Sequence, residues 1–104
     1  MNQIVNVRGL RPNQPGILYC GRAWAGWQAS PLGNPFRPGR DGTREEVLER
    51  YRSWLGGQIT EGNQEVLDAL AAIKADSILG CWCFPSRCHC QIIWEEWTRL
   101  MNGS

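Results

Sequence analysis

The stretch LGCWCFPSRCHCQII, residues 79–93, holds four of the chain's five cysteines and its only histidine. The apolar run SILGCWCF, residues 77–84, is typical of a buried strand. A turn at Pro85 follows it, and from about residue 90 to 101 the apolar residues recur at helical spacing, which predicts a final helix. A strand, a turn and a helix start therefore gather sulfur and nitrogen donors at one point of the fold.

These donors predict a metal site. Cys81 and Cys83 stand two apart, so on a strand both side chains point to the same face. Cys88, His89 and Cys90 follow the turn at the helix start, where the helix dipole favours thiolate over thiol. Thiolate and imidazole are the usual ligands of zinc, which commonly takes four. We predict zinc, or another thiophilic metal, on Cys81, Cys83, Cys88 and His89, with Cys90 as the substitute for His89.

The cysteines could instead form a disulfide staple or serve only in packing. A disulfide is disfavoured, because five is an odd number and because no apolar run fits a signal peptide or a membrane span, which indicates a reducing, cytoplasmic location. In the packing role, buried reduced cysteines act as small apolar residues. Cys20, which is isolated in the sequence, is expected in the core.

The rest of the chain predicts a single domain over residues 1–104, of the α/β (α+β) class, with a short mixed sheet and about three helices. Thr43 and Glu46 form a capping box at the start of the clearest helix, and Gly56-Gly57 is predicted to end it. A glycine-rich turn between strand and helix is missing, so a Rossmann-type methyltransferase is excluded. The predicted elements are strands at 4–8, 16–22 and 77–84 and helices at 43–57, 64–74 and 90–101.

Arginine is distributed unevenly. Residues 8–52 contain eight arginines, lysine occurs once in the chain, and the formal net charge is only +1. The charge balance therefore points to no bulk attraction for nucleic acid or membranes. The planar guanidinium fork nevertheless suits phosphate, carboxylate or the edge of guanine.

The long loop at residues 23–42 predicts a pocket for a flat heterocycle such as a nucleobase. Trp27 is expected to stack on the ligand, and Arg22, Asn34 and Arg40 are expected to supply polar contacts. Asp41 is expected to be a further polar group of this pocket. The alternative is structural, with an Asx-turn at Asp41 and a backbone clamp by Asn34.

Four blocks of the sequence, YCGR, SPLGNPF, GRDGTREEVLERYRSWL and LGCWCFPSRCHCQII, resemble a small phage and bacterial family catalogued as a domain of unknown function. The resemblance covers about residues 5–97. The family's metal-like residues fall on Cys81, Cys83, Cys88 and His89. This chain departs from the family pattern at Cys90, where glycine is usual, and at Gln91, where aspartate is usual.

The family is similar in size and motif to the phage DpdM-like proteins, which act where guanine in viral DNA is replaced by 7-deazaguanines. The resemblance implies an N-methyltransferase that uses S-adenosylmethionine on 7-aminomethyl-7-deazaguanine in DNA, in the host cytoplasm. Asp41 would then be the candidate catalytic base that removes a proton from the amine. Arginines would hold DNA phosphates, and aromatic residues would hold the sulfonium. The alternatives are a non-catalytic, zinc-stabilised module that binds nucleotides or nucleic acid, and a phage protein that binds a host factor.

Overall fold

The computed structural model describes residues 3–102 of the 104-residue chain. Its elements, in chain order, are β1 (Gln3–Asn6), β2 (Leu18–Tyr19), α1 (Arg44–Glu61), α2 (Gln64–Ala71), β3 (Ile78–Cys81) and α3 (His89–Asn102). They form one small unit of three helices and a three-stranded sheet, which confirms the predicted fold class. Within residues 3–102, no helix combines the length and the apolar character needed to cross a membrane.

The sheet is parallel throughout, whereas a mixed sheet was predicted. Strand β3 lies in the centre, with β1 and β2 on either side of it. Gly80 of β3 is paired with Val5 on one side and Tyr19 on the other. A Cβ atom at Gly80 would lie 2.6 Å from the Val7 side chain and 2.7 Å from that of Ile17. The glycine therefore lets the neighbouring segments close over the central strand.

Helix α1 begins at the predicted residue. The Thr43 hydroxyl accepts the Glu46 N–H at 3.2 Å, and the Glu46 carboxylate accepts the Thr43 N–H at 2.9 Å, which completes the capping box. The side chains that α1 buries are Val47, Leu48, Tyr51 and Leu55. The Tyr51 hydroxyl donates to the Leu32 carbonyl at 2.6 Å, so the helix holds the 23–42 loop in place.

The predicted end of this helix at Gly56-Gly57 is wrong. The helix continues to Glu61 and stops at Gly62, whose φ of 76° lies in the left-handed region. Glycine inside a helix costs about 1 kcal/mol relative to alanine. That cost is offset because Leu55 is buried before the glycine pair and Ile59 packs against the core after it.

The core lies between the sheet and the three helices, and α3 supplies much of it. Trp94 is fully buried, and its indole N–H donates to the Gln3 carbonyl at 3.0 Å. Trp97 packs edge-on against Trp94, and its own N–H donates to the Ile73 carbonyl at 3.0 Å. Helix α3 is thereby fixed against β1 and the end of α2, and its first turn points at the end of β3.

Candidate metal centre and adjoining cavity

Three buried cysteines form a cluster at the junction of β3 and α3. The Sγ atoms of Cys81, Cys88 and Cys90 all lie within 4.8 Å of one another. The Cys81–Cys88 Sγ–Sγ distance is 2.8 Å, which is longer than the ~2.05 Å of a disulfide. In a tetrahedron with Zn–S bonds of ~2.3 Å, two sulfurs lie about 3.8 Å apart. The three thiols can hold a metal ion once this pair opens by about an ångström.

The start of α3 provides a favourable setting for negative charge on sulfur. Cys88 directly precedes the helix, and its Sγ accepts the Cys90 N–H at 3.4 Å. Hydrogen bonds from Cys88 and then Cys90 hold the pKa of Cys81 far below its usual range. Donation to Cys81 in turn raises the pKa of Cys88. In the cluster, protons are therefore shared between neighbouring sulfurs. A metal cation that replaced these protons would bind all three sulfurs as thiolates.

Cys83, one of the predicted ligands, lies at the edge of this cluster and is partly exposed. The neighbouring Cys88 side chain, followed by the Arg44 guanidinium, lowers the pKa of Cys83 to about 6. Cys83 is therefore next to the cluster, on its outer side. Its role as a ligand stays a prediction.

His89, the other predicted ligand, is buried beside the cluster. Its Nε2 is hydrogen-bonded to the Cys20 carbonyl, and its Nδ1 lies 3.7 Å from the Cys88 Sγ. Burial lowers the pKa of His89, which favours the neutral ring. If Nε2 carries the proton, Nδ1 is left as the nitrogen that can bind metal. His89 is thus suitably oriented, but Cys90 is the residue that completes the cluster of three.

Cys20 is part of the same neighbourhood, although the sequence suggested that it was isolated. It follows β2, and its N–H donates to the Gly80 carbonyl at 2.9 Å. The neighbouring Cys20 side chain is the first cause that raises the pKa of Cys90. No spacing in the sequence could reveal this contact, because it depends on β2 pairing with β3. All five cysteines are free thiols.

A cavity of about 380 Å³ opens beside the cluster. Cys83, Cys88 and His89 form part of its wall. The aromatic side chains that line it are Tyr19, Trp24, Phe36 and Trp82. The arginines that line it are Arg22, Arg37, Arg44 and Arg87. Of the residues from 3 to 102, no aspartate or glutamate lines it, so the cavity favours an anionic ligand.

Two of the four arginines are held by backbone carbonyls. Arg22 donates to the Asn34 carbonyl at 3.2 Å, and Arg44 donates to the Arg87 carbonyl at 3.2 Å. Arg87 also forms an ion pair with Glu45, on the outside of the cavity. These contacts hold the guanidinium groups at the rim of the cavity. The N–H groups that they do not use can donate hydrogen bonds to a phosphate.

The residues predicted for the pocket divide into two groups. Arg22 and Asn34 line the cavity, whereas Trp27 and Arg40 do not. Trp27 is only 3% exposed and packs under the Tyr19 ring, with centroids 5.0 Å apart. Its position at the cavity is taken by Trp24. The Asn34 carboxamide accepts the Phe36 N–H at 2.9 Å, which is the backbone clamp that the structural alternative described.

Asp41 also lies outside the cavity wall. Its carboxylate accepts the Arg37 N–H at 2.8 Å and the Arg40 Nε–H at 2.9 Å. The hydrogen bond from Arg40, followed by the one from Arg37, lowers the pKa of Asp41, which makes it a weaker base. This arrangement favours loop closure as the role of Asp41, with the Asx-turn located at Asn34 instead.

Comparison with known families identifies the family of the chain. The profile of a domain of unknown function, DUF4326, matches residues 5–99, and the chain belongs to that family. Comparisons with curated proteins and with solved structures gave no match. The cavity and the cysteine cluster are therefore the features from which function is inferred.

Proposed function

We propose that the protein binds a nucleotide unit of nucleic acid in the 380 Å³ cavity, next to a zinc ion held by the cysteine cluster. The observation that carries this proposal is the convergence of arginines and aromatic rings on one cavity. Guanidinium groups suit phosphate, and aromatic faces suit a base. The volume falls within the ~300–1,000 Å³ of pockets that enclose small ligands.

Zinc is the proposed metal because the donors are soft thiolates. Cys81, Cys88 and Cys90 supply three of them, and the fourth ligand comes from Cys83 or from Nδ1 of His89. Such a metal would join the end of β3 to the start of α3, which form one wall of the cavity. Binding of the metal would therefore fix the cavity as well as the fold.

Methyl transfer is the second candidate function. The resemblance to the DpdM-like proteins supports it, and so does the aromatic wall, since rings such as Trp24 and Phe36 can face a sulfonium. The positive charge of the four arginines disfavours binding of a cationic ligand. Over residues 3–102, the cavity wall also contains no side-chain carboxylate that could take a proton from an amine. The geometry therefore favours binding over catalysis.

Two helix arginines provide a matched test of binding. Arg44 lines the cavity, whereas Arg50, on the same helix, lines a different surface. We expect Arg44→Ala to weaken binding of a fluorescein-labelled oligonucleotide and to reduce the salt slope of log K by about 1, because one phosphate contact is lost. Arg50→Ala should leave both unchanged. Equal effects of the two substitutions would show that the cavity is not where nucleic acid binds.

The enzymatic candidate is tested separately by mass spectrometry. Oligonucleotides that carry 7-aminomethyl-7-deazaguanine are incubated with the protein and S-adenosylmethionine, then digested to nucleosides. A gain of one methyl group selects the methyltransferase. Tight binding with no change in nucleoside mass selects the binding module.

A further inference from the structure

Trp24 is placed in an unusual way for a large apolar side chain. It is 68% exposed, and it stands at the rim of the arginine-lined cavity. Trp27, three residues later, is buried in the core. The chain therefore presents one of these two tryptophans to solvent and uses the other as an anchor.

A tight hairpin turn fixes Trp24 in this position. The N–H of Trp24 donates to the Trp27 carbonyl at 3.2 Å, and the N–H of Trp27 donates to the Trp24 carbonyl at 2.9 Å. The two residues between them, Ala25 and Gly26, have φ values of 51° and 89°. Positive φ at both central residues is typical of the type I′ turn. Ala25 is strained there, because a side chain disfavours this region.

A second strained residue clamps the turn from outside. Asn13 has a φ of 59°, and its side-chain amide donates to the Gly26 carbonyl at 2.9 Å. Its Oδ1 accepts the Gln28 N–H at 3.2 Å. Asn13 and Ala25 are the two residues other than glycine with positive φ over residues 3–102. Backbone strain that the surrounding contacts maintain is typical of functional sites.

We propose that Trp24 is a pre-positioned stacking platform for an unpaired nucleobase, so that the ligand is single-stranded nucleic acid. This inference rests on the proposed function. A base inside a duplex is stacked on both faces, and its ring cannot lie on Trp24 unless it leaves the stack. The neighbouring Arg22 and Arg37 line the same cavity and suit the phosphates on either side of that base.

The charge pattern favours a nucleic acid over a protein as the occupant. A protein that covered an exposed tryptophan would do so through an apolar pocket. Here Trp24 shares its cavity with four guanidinium groups, which an apolar partner would leave desolvated. The phosphates of a nucleic acid match those groups, and its base matches the ring.

The test measures fluorescence anisotropy of a labelled twelve-nucleotide DNA, as a single strand and as the duplex of the same sequence. We expect Trp24→Ala to weaken single-strand binding about 10-fold, since stacking of a base on an aromatic ring contributes ~1–3 kcal/mol. Trp24→Leu should weaken it similarly, and Trp24→Phe should retain most of it. Duplex binding should be weaker than single-strand binding in the unsubstituted protein and unaffected by these changes.

A pair of turn variants tests whether the placement of Trp24 matters. A Cβ at Gly26 would lie 2.9 Å from Cγ of Pro12, so Gly26→Ala should displace the turn and weaken single-strand binding while Trp24 is retained. Ala25→Gly fits the same φ without strain and should keep binding intact. Melting temperatures of all variants identify any that fail to fold, and if Trp24→Ala is one of them, Trp24→Leu serves in its place.

The possible outcomes separate the two proposals. If neither strand form binds the unsubstituted protein, the proposed function fails. If single strands bind and Trp24→Ala binds them equally well, the proposed function stands and the stacking role of Trp24 is overturned. Equal affinity of single strand and duplex would also overturn it.

Discussion

At the scale of single residues, the turn at Ala25 and Gly26 separates two tryptophans with different surroundings, since Trp24 is exposed and Trp27 is buried. Trp27 was expected to stack on a ligand in a pocket, whereas the loop aromatics that line the cavity are Trp24 and Phe36. Trp24 and Trp27 flank the same two-residue turn, so the sequence could not reveal which ring faces the core. That is decided by packing of Trp27 against Tyr19. The cluster of Cys81, Cys88 and Cys90 was predictable from local density, whereas the contact with Cys20 was not.

Asp41→Asn tests the loop-closing role of that carboxylate. Because hydrogen bonds lower the pKa of Asp41 in the folded chain, its stabilising contribution is present above its ordinary pKa of about 3.9 and is lost as pH falls through the lower, folded value. We expect the variant to melt below the unsubstituted protein at pH 7. The difference should narrow in acid, as measured by circular dichroism at several pH values.

Asp76→Asn is the matched control for Asp41→Asn. Asp76 is exposed, and its side chain makes no hydrogen bond or ion pair with any residue between 3 and 102. Its substitution should leave the melting temperature unchanged at every pH. If Asp41→Asn instead abolished methyl transfer with no change in melting temperature, Asp41 would be acting as the predicted base.

At the scale of elements, helix starts were easier to predict than helix ends. The capping box at Thr43 is a local device, so its pattern survives in any fold. The chain offers two candidate stops, Gly56-Gly57 and Gly62, and only the packing of Ile59 on the core selects the second. The pairing of strands was equally hard to predict from the sequence. Alternation of apolar and polar residues shows which residues face the core, but it does not identify the neighbouring strand. In the structure, β3 lies between β1 and β2 and runs parallel to both.

Alanine substitutions at a glycine inside α1 and at the glycine that follows it should change the stability of the protein in opposite directions. A Cβ at Gly56 would meet no atom within 4 Å, and the residue is inside the helix. Gly56→Ala should therefore stabilise the protein by about 0.5–1 kcal/mol. Gly62→Ala should destabilise it by about 1 kcal/mol, because its φ of 76° disfavours a side chain. Urea unfolding measures both, and a stabilising Gly62→Ala would contradict the observed helix end.

At the scale of the whole molecule, the cysteine cluster connects the core with the cavity. The cysteine cluster belongs to the same buried core as Tyr51, Leu79 and Trp94, and it also forms part of the cavity wall. A single change at the cluster should therefore affect both stability and binding. The sequence could predict a cluster here because β3, the turn and α3 are consecutive. It predicted a pocket with Arg22 but did not predict that Arg37 and Arg87 line it, because these arginines meet Arg22 only in the folded chain.

The cysteine that completes the cluster can be identified by substitution. Cys90→Ser should reduce bound zinc well below one equivalent per chain, because it removes one of the three mutually close sulfurs. Cys83→Ser and His89→Asn then distinguish the two candidates for the fourth ligand, and the true ligand is the one whose loss lowers the zinc content. Elemental analysis of each purified variant measures this. Full zinc occupancy in Cys90→Ser would contradict the cluster of three and favour the ligand set first predicted from the sequence.

Removal of the metal is expected to unfold the chain. Structural zinc contributes an apparent ~10–16 kcal/mol in zinc-finger peptides, which is as large as the ~5–15 kcal/mol total stability of a typical domain. Here the thiols that it would bridge hold the end of β3 against the start of α3, so their separation would open both the core and the cavity. Addition of a chelator should therefore abolish the helical circular-dichroism signal together with oligonucleotide binding. Zinc should restore both, and magnesium, which prefers oxygen ligands, should restore neither. A chain that keeps its helices and its melting temperature in chelator would show that the cysteines are buried thiols packed as small apolar residues.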